Sequence, residues 1–100
     1  MQVALFATLF ALDPSKENIV QWRNCGWFKN KPEFNKALDC LSNHGPSPDI
    51  FTHLVVEFIP QGFFPLVIRS IIYEFSSERG WIKSSTPPPA LTKHTGYALG

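Results

Sequence analysis

The chain has 100 residues, of which 44% are hydrophobic, 17% are charged and 14% are aromatic. This composition is typical of one small globular domain and excludes an intrinsically disordered chain. The formal net charge is +1 and the basic residues are scattered, so the sequence does not favour direct binding to nucleic acid. A domain of this size cannot bury every aromatic ring, and we expect some rings to face a partner or a missing continuation of the chain.

Cysteine usage and the first apolar run bear on location. The two cysteines, Cys25 and Cys40, are too few for a disulfide framework, and the absence of an Asn-x-Ser/Thr acceptor also favours a reducing cytosol or nucleus. Residues 3–12 form an apolar run that lacks the basic segment and cleavage site of a signal peptide. The run is too short to span a bilayer, although peripheral membrane contact stays open. Periodicity alone does not separate strand from helix here.

The pattern along the chain predicts an α+β fold, mainly helical, with about three helices and one or two short strands in a small single domain. Asp13-Pro14 is typical of a helix start and Gly26 of a helix end. These residues predict a first helix that carries the apolar side chains of Ile19, Val20 and Trp22.

A second helix is predicted more clearly. Asn30 can cap it, and Pro32 and Glu33 then lie in its first turn. Its apolar residues recur at helical spacing, at Phe34, Ala37, Leu38 and Leu41. Gly45-Pro46 is expected to end it.

The segment from Phe51 to Ile59 is rich in β-branched and aromatic residues, which favours a strand, with a helix as the competing interpretation. After Pro60 and a glycine turn, apolar residues return at helical spacing. They predict a third helix from about Phe63 to Gly80 with a buried stripe of Phe64, Val67, Ile68, Ile71, Ile72 and Phe75.

The composition changes after Ile82. Residues 84–89 contain three consecutive prolines and are expected to be extended, as in polyproline II. We therefore predict a helical domain over 1–83 and a Pro-rich extended segment over 84–100. The apolar residues near Gly100 resemble the start of another element, so we expect the chain to be a piece of something longer.

Candidate chemistry is sparse. A zinc site could use Cys40 and His44 on one helix face, completed by Cys25 or His53, but no Cys-x-x-Cys pair supports it. The sequence contains no Gly-x-Ser-x-Gly elbow, no convergent carboxylate pair and no phosphate-binding glycine loop. We predict a protein that is not an enzyme and that uses no metal and no cofactor.

Two Gly-Trp dipeptides, Gly26-Trp27 and Gly80-Trp81, are candidate binding elements. A flexible glycine next to an exposed indole resembles the hooks that enter tryptophan pockets of Argonaute. The alternative is structural, because both glycines lie where a predicted helix ends and the following Trp can fold back onto that helix.

The proline-led third helix is the stronger candidate. It carries apolar groups over a wide arc, including Leu66 and Ile72, and a thin domain covers only one face of such a helix. This arrangement is typical of a helix that docks on another protein. The alternative is that these side chains form the core of the domain itself.

The segment Ile59-Pro60, Gln61-Gly62, Phe63-Phe64, Val67 resembles an F-box core. Together with Leu12-Asp13-Pro14 and the segment from Pro88-Pro89-Ala90-Leu91 to Gly100, it is similar to the P0 proteins of poleroviruses, which suppress RNA silencing in plants. The resemblance implies an F-box-like adaptor that brings a cullin–RING ubiquitin ligase to Argonaute in the host cytoplasm, with nuclear or membrane association left open. The residues that would bind the host Skp-type adaptor are Ile59, Pro60, Phe63, Phe64, Val67 and Ile68.

A second resemblance leads to a different class of protein. Pro60-Gln61-Gly62-Phe63-Phe64 followed by Val67-Ile68 is similar to the C-terminal half of COR domains, the dimerisation modules of Roco-type signalling proteins. That likeness implies self-association through the same helix.

Overall fold

The computed structural model describes residues 2–44, 51–76 and 78–95. The described part of the chain holds five strands and two helices, so the prediction of a mainly helical fold is wrong. The described strands are β1 Val3–Leu12, β2 Ile19–Phe28, β3 His53–Pro60, β4 Arg69–Ser76 and β5 Gly80–Lys83. They form one antiparallel sheet in the order β2-β1-β3-β4-β5. The helices are α1 Lys31–His44 and α2 Pro89–Thr95.

The apolar run at the N-terminal end of the chain is the strand β1, which lies between β2 and β3. Its side chains alternate between two faces of the sheet. The first face carries Leu5, Ala7, Leu9 and Ala11 in a core with Phe34 of α1, and the second face carries Phe10 and Leu12 in a core with Leu91 of α2. Because helices pack on both faces, β1 is apolar at consecutive positions, which hides its period of two.

The predicted first helix is wrong, because the residues assigned to it form β2. The Asp13 carboxylate accepts hydrogen bonds from Ser15 Oγ at 2.7 Å and from the Glu17 backbone N–H at 3.2 Å. The backbone N–H of Asp13 donates to Asn18 O at 3.1 Å, which closes a turn between two strands. In a turn centred on Asp, as in a helix cap, the carboxylate accepts hydrogen bonds from nearby donors of the chain. Asp13 does accept such bonds, but it does so in a turn between two strands and not at the start of a helix.

The second predicted helix is confirmed as α1. The backbone N–H of Glu33 donates to Asn30 Oδ1 at 2.9 Å, which is the expected N-cap bond. Phe34 is buried against the sheet. The expected stop at Gly45-Pro46 lies outside the described residues.

The strand interpretation of the segment that ends at Ile59 is confirmed by β3, and the competing helix is excluded. The third predicted helix is wrong. A turn joins Pro60 to Phe63 through a 3.0 Å hydrogen bond, with Gly62 at φ +85°. In a second turn, around the cis Phe64–Pro65 peptide, the backbone N–H of Leu66 donates to the carbonyl oxygen of Phe63 at 2.7 Å.

Residues 69–76 of the predicted helix form β4, which pairs with β3 so that Ile71 lies opposite Val56 and Ile72 opposite Val55. Closely spaced β-branched residues fit the apolar face of a helix and also fit a strand that is buried on both faces, so their spacing does not separate the two. The neighbouring strand decides between them, because it offers a complete hydrogen-bonding edge.

The Pro-rich segment leads into a short helix. Pro89 is the first residue of α2, a position where proline is tolerated because its missing N–H needs no partner. The prolines therefore exclude a helix only as far as Pro88. Ala90 and Leu91 pack on the second face of the sheet. Neither helix in the described part of the chain has the length and apolar character needed to span a bilayer.

Candidate functional site

A row of aromatic rings crosses the second face of the sheet. The loop between β3 and β4 brings Phe64 edge-on to Trp27 of β2, with ring centroids 5.6 Å apart. Trp27 in turn lies 5.0 Å from Phe6 of β1. Contacts of this kind stabilise aromatic pairs beyond the area that they bury. The row therefore holds the loop over the sheet.

Beside this row lies an open groove of about 440 Å³. We call it the aromatic groove; its lining residues are Phe6, Thr8, Phe10, Trp22, Asn24, Glu57 and Phe64. Its floor contains the buried side chains of Thr8 and Phe10. Trp22 and Phe64 are 56% and 66% exposed, so large apolar area faces solvent.

The groove exists because α2 covers only one end of the second face. Its Ala90 and Leu91 belong to a core with Phe10 and Leu12 at the C-terminal end of β1. Neither described helix contributes a residue to the groove lining. The aromatic side chains near Phe6 consequently stay accessible.

A β-bulge places Trp27 on this face. Ala7 pairs with Gly26 whereas Thr8 pairs with Asn24, so Cys25 is the extra residue of β2. Simple alternation from Trp22 and Asn24 would place Gly26 on the groove face, and the bulge puts Trp27 there instead, opposite Phe6. Gly26 adopts φ +101°, which a residue with a Cβ rarely takes.

Two polar features accompany the rings. Thr8 Oγ1 donates to Asn24 Oδ1 at 3.2 Å, which satisfies the partly buried hydroxyl. Glu57 of β3 lies opposite Phe6 of β1. Among the described residues that line the groove, Glu57 is the one acidic residue, and none is Lys or Arg.

The residues predicted to bind a Skp-type adaptor do not share one helical face. Ile59 and Pro60 are buried at the end of β3, and Val67 is half-buried. Phe63, Phe64 and Ile68 are exposed in the loop, but of the whole set Phe64 is the residue that lines the groove.

The two Gly-Trp dipeptides have different environments. Trp27 is 49% exposed and belongs to the aromatic row. Trp81 is 5% exposed and its ring lies 5.5 Å from that of Phe75 in the first core. Gly80 begins β5 and does not end a helix. Of the two indoles, Trp27 therefore offers the accessible surface.

The candidate zinc ligands are spread over three elements, with Cys40 and His44 both in α1. Cys25 on β2 and Cys40 on α1 are exposed, whereas His53 is buried in β3. The side chain of His44 lies outside the described residues. Within the described ranges no three His, Cys, Asp or Glu side chains come together as a metal site. Although Cys25 is exposed as a residue, desolvation around its sulfur raises the pKa of the thiol, which disfavours the thiolate that a metal needs.

Sequence reasoning missed Phe6, Trp22 and Glu57 as site residues. Phe6 belongs to the first apolar run, and Trp22 is one of the apolar side chains of the predicted first helix. Trp22, Trp27, Phe63 and Phe64 are exposed among the described residues, and whether they face a partner stays a prediction. Which rings they are depends on strand pairing, which brings together residues from distant parts of the chain.

No family model, no curated protein and no solved structure matches this chain. The likeness to polerovirus P0 proteins and the likeness to COR domains both stay predictions.

Proposed function

We propose that this chain is a protein-binding domain that holds its partner at the aromatic groove. The observation that carries the proposal is the exposure of Trp22 and Phe64 on the part of the second sheet face to which neither described helix contributes a lining residue. Exposed Trp and Phe side chains give large contact area with little loss of rotamer entropy, and Trp is enriched among residues that dominate binding energy.

The partner that we propose is a protein of the silencing and ubiquitin pathways of a plant host. The likeness to P0 proteins supports the Skp-type adaptor of a cullin–RING ligase and Argonaute as the partners to test first. Docking through an F-box helix is not part of this proposal, because residues 61–68 form a loop. Trp27 beside the groove supports Argonaute in particular, since an accessible indole suits a tryptophan pocket.

The test is binding of the intact chain to purified plant Skp-type adaptor and to purified Argonaute, measured by calorimetry. We expect Phe64→Ala to weaken binding at least about tenfold, as for a residue near the centre of an interface. Phe63→Ala is the matched control, because Phe63 is 56% exposed in the same loop and does not line the groove.

Equal binding of wild type and Phe64→Ala would contradict docking at the groove. Circular dichroism of both variants excludes loss of folding as the cause. Light scattering of the free chain tests the competing class: self-association abolished by Phe64→Ala would mean that the groove takes a second copy, as the likeness to COR domains implies.

A further inference from the structure

The loop between β3 and β4, residues 61–68, concentrates exposed apolar side chains. Four of its side chains are more than half exposed, namely Phe63, Phe64, Leu66 and Ile68. The loop contains no charged residue, and we call it the apolar loop. Phe64 lines the aromatic groove, but the other three do not, so the groove does not account for their exposure.

Backbone hydrogen bonds satisfy much of the apolar loop. At its start, the N–H of Gln61 donates to Gln2 O at 3.1 Å. At its end, the N–H of Ile68 donates to Phe58 O at 2.9 Å. The two turns within the loop satisfy two more N–H groups, and its one proline has none. An apolar environment penalises an N–H group without an acceptor, so this arrangement lowers the cost of taking the loop out of water.

A basic residue lies at each end of the apolar loop. Lys29 is exposed and lines the same surface pocket as Gln61, the first residue of the loop. Arg69 is exposed and directly follows the last residue of the loop. Arg69 also lies over the ring of Phe58, but a cation–π contact does not neutralise its charge. The loop is therefore an apolar segment between two positive charges.

The charges at this end of the sheet are mainly positive. Pro60, the last residue of β3, pairs with Val3, the first residue of β1, so the loop lies beside the start of β1. The chain segments at this end, residues 28–33 and 60–70, contain three basic residues and one acidic residue, Glu33. An anionic surface that approaches the loop from this end meets a net positive charge.

We propose that the apolar loop inserts into the surface of a membrane that contains anionic lipids. Its apolar side chains enter the bilayer, and Lys29 and Arg69 stay beside the negatively charged headgroups. The ring centroid of Trp27 lies 5.6 Å from that of Phe64, and an indole suits the boundary between headgroups and hydrocarbon. This contact goes beyond the proposed function, because apart from Phe64 its residues lie outside the groove lining.

A bilayer suits the apolar loop better than a second protein does. A stable protein interface buries about 800 Å² on each partner. Four large apolar side chains of one short loop expose on the order of a few hundred Å². Membrane binding needs less area, because attraction between basic residues and anionic lipids adds to the insertion of a few apolar side chains.

The test measures co-sedimentation of the intact chain with vesicles of phosphatidylcholine mixed with phosphatidylserine. We expect the wild-type chain to bind these mixed vesicles, and Leu66→Ala to weaken binding at least about fivefold through the loss of inserted apolar area. Val20→Ala is the matched control, because Val20 is an exposed aliphatic residue of β2 near the opposite end of β1. Its truncation should leave binding unchanged.

The contribution of charge is measured with a second pair of variants. Lys29→Gln should weaken binding to the mixed vesicles about fivefold, the usual contribution of one basic residue at an anionic surface. Vesicles of phosphatidylcholine alone should bind the wild-type chain at least about tenfold more weakly than the mixed vesicles do, since two basic residues lose their attraction. Lys16→Gln is the matched control, because Lys16 is exposed in the turn between β1 and β2, at the other end of the sheet.

The inference would be overturned if the wild-type chain did not bind the mixed vesicles, or bound them no better than phosphatidylcholine alone. Equal binding by Leu66→Ala and Val20→Ala would overturn it too. The vesicle comparison on the wild-type chain decides even if a variant fails to fold, which circular dichroism detects. Self-association of the free chain that Leu66→Ala abolishes, without binding to vesicles, would mean that the loop contacts a second copy instead. The groove experiments contain no lipid, so they test the proposed function independently.

Discussion

At the scale of single residues, His53 is a titratable group held in an apolar setting. Its side chain is 3% exposed, its Nδ1 lies 2.8 Å from Thr52 Oγ1, and its Nε2 has no hydrogen-bond partner. Burial, with a smaller contribution from the charge of Lys16, lowers the pKa of His53 from its ordinary 6.5 to about 4. Glu74 Oε2 is 4.0 Å away, too far to offset the loss of solvation.

This shift predicts a stability that depends on pH. Between pH 6.5 and about 4 the unfolded chain binds a proton at His53 and the folded chain does not. The free energy of unfolding should therefore fall as the pH falls through that window, and His53 should contribute no pH dependence above it. Urea unfolding at several pH values measures the slope, which His53→Leu should flatten.

Glu74→Gln is the control for the pH experiment. Because burial is the main cause of the low pKa, the slope should persist in this variant. If the free energy of unfolding no longer depended on pH in Glu74→Gln but still did in His53→Leu, a group other than His53 would be the cause of the pH dependence.

Neither this histidine nor the groove residues were evident from residue type alone. His53 was considered as a metal ligand, and its burial follows from its place in β3 between β1 and β4.

Gly62, in contrast, was evident from the sequence. A glycine after Pro60-Gln61 predicted a turn, and its φ of +85° agrees, because local backbone sterics do not depend on distant strands.

At the scale of elements, α1 is the segment whose signals are all local. Asn30 Oδ1 accepts the N–H of Glu33, and the apolar stripe repeats at helical spacing. Its N-terminus is also anchored, since Lys31 Nζ lies within hydrogen-bond distance of the Tyr73 hydroxyl on β4.

We expect Asn30→Ala to destabilise the domain by about 1 kcal/mol, the usual cost of losing an N-cap side chain. Asn35→Ala is the matched control, because Asn35 is exposed within the same helix and alanine is favourable there. Chemical denaturation of both variants measures the difference. Equal stability of the two would mean that the cap bond contributes little.

The segment after Pro60, unlike α1, has a structure that local sequence signals do not determine. Its spacing fits a helix, and it forms a loop followed by β4 because β3 offers an unpaired edge to residues 69–76. A β-branched run such as Ile71-Ile72 pairs well there. The prediction of a docking helix failed at this step, since strand pairing is a long-range interaction that spacing does not record.

At the scale of the whole molecule, a described helix packs on each face of the sheet, and α2 covers only part of the second face. On the second face α2 provides the cover, through Leu91, which is 0% exposed and contacts the core of Phe10, Val55 and Ile72. The short helix thereby sets the boundary between the buried part of that face and the aromatic groove.

We expect Leu91→Ala to lower the free energy of unfolding by about 3 kcal/mol, through lost transfer energy and an unfilled cavity. Leu66→Ala is the matched control, because Leu66 is 56% exposed and its truncation should cost less than about 1 kcal/mol. Urea denaturation measures both. A small effect of Leu91→Ala would mean that α2 adds little to the fold.

By itself, the sequence determined the helix α1, the strand character of residues near Leu54 and the turn at Gly62. All of these depend on neighbours within a few positions of the chain. Only the tertiary structure decided that the segments after Asp13 and after Pro60 are strands, and that Phe6, Trp22 and Phe64 share one groove. The physical reason is that strands are stabilised by partners distant in sequence, so an apolar residue becomes buried or accessible according to which strand it pairs with.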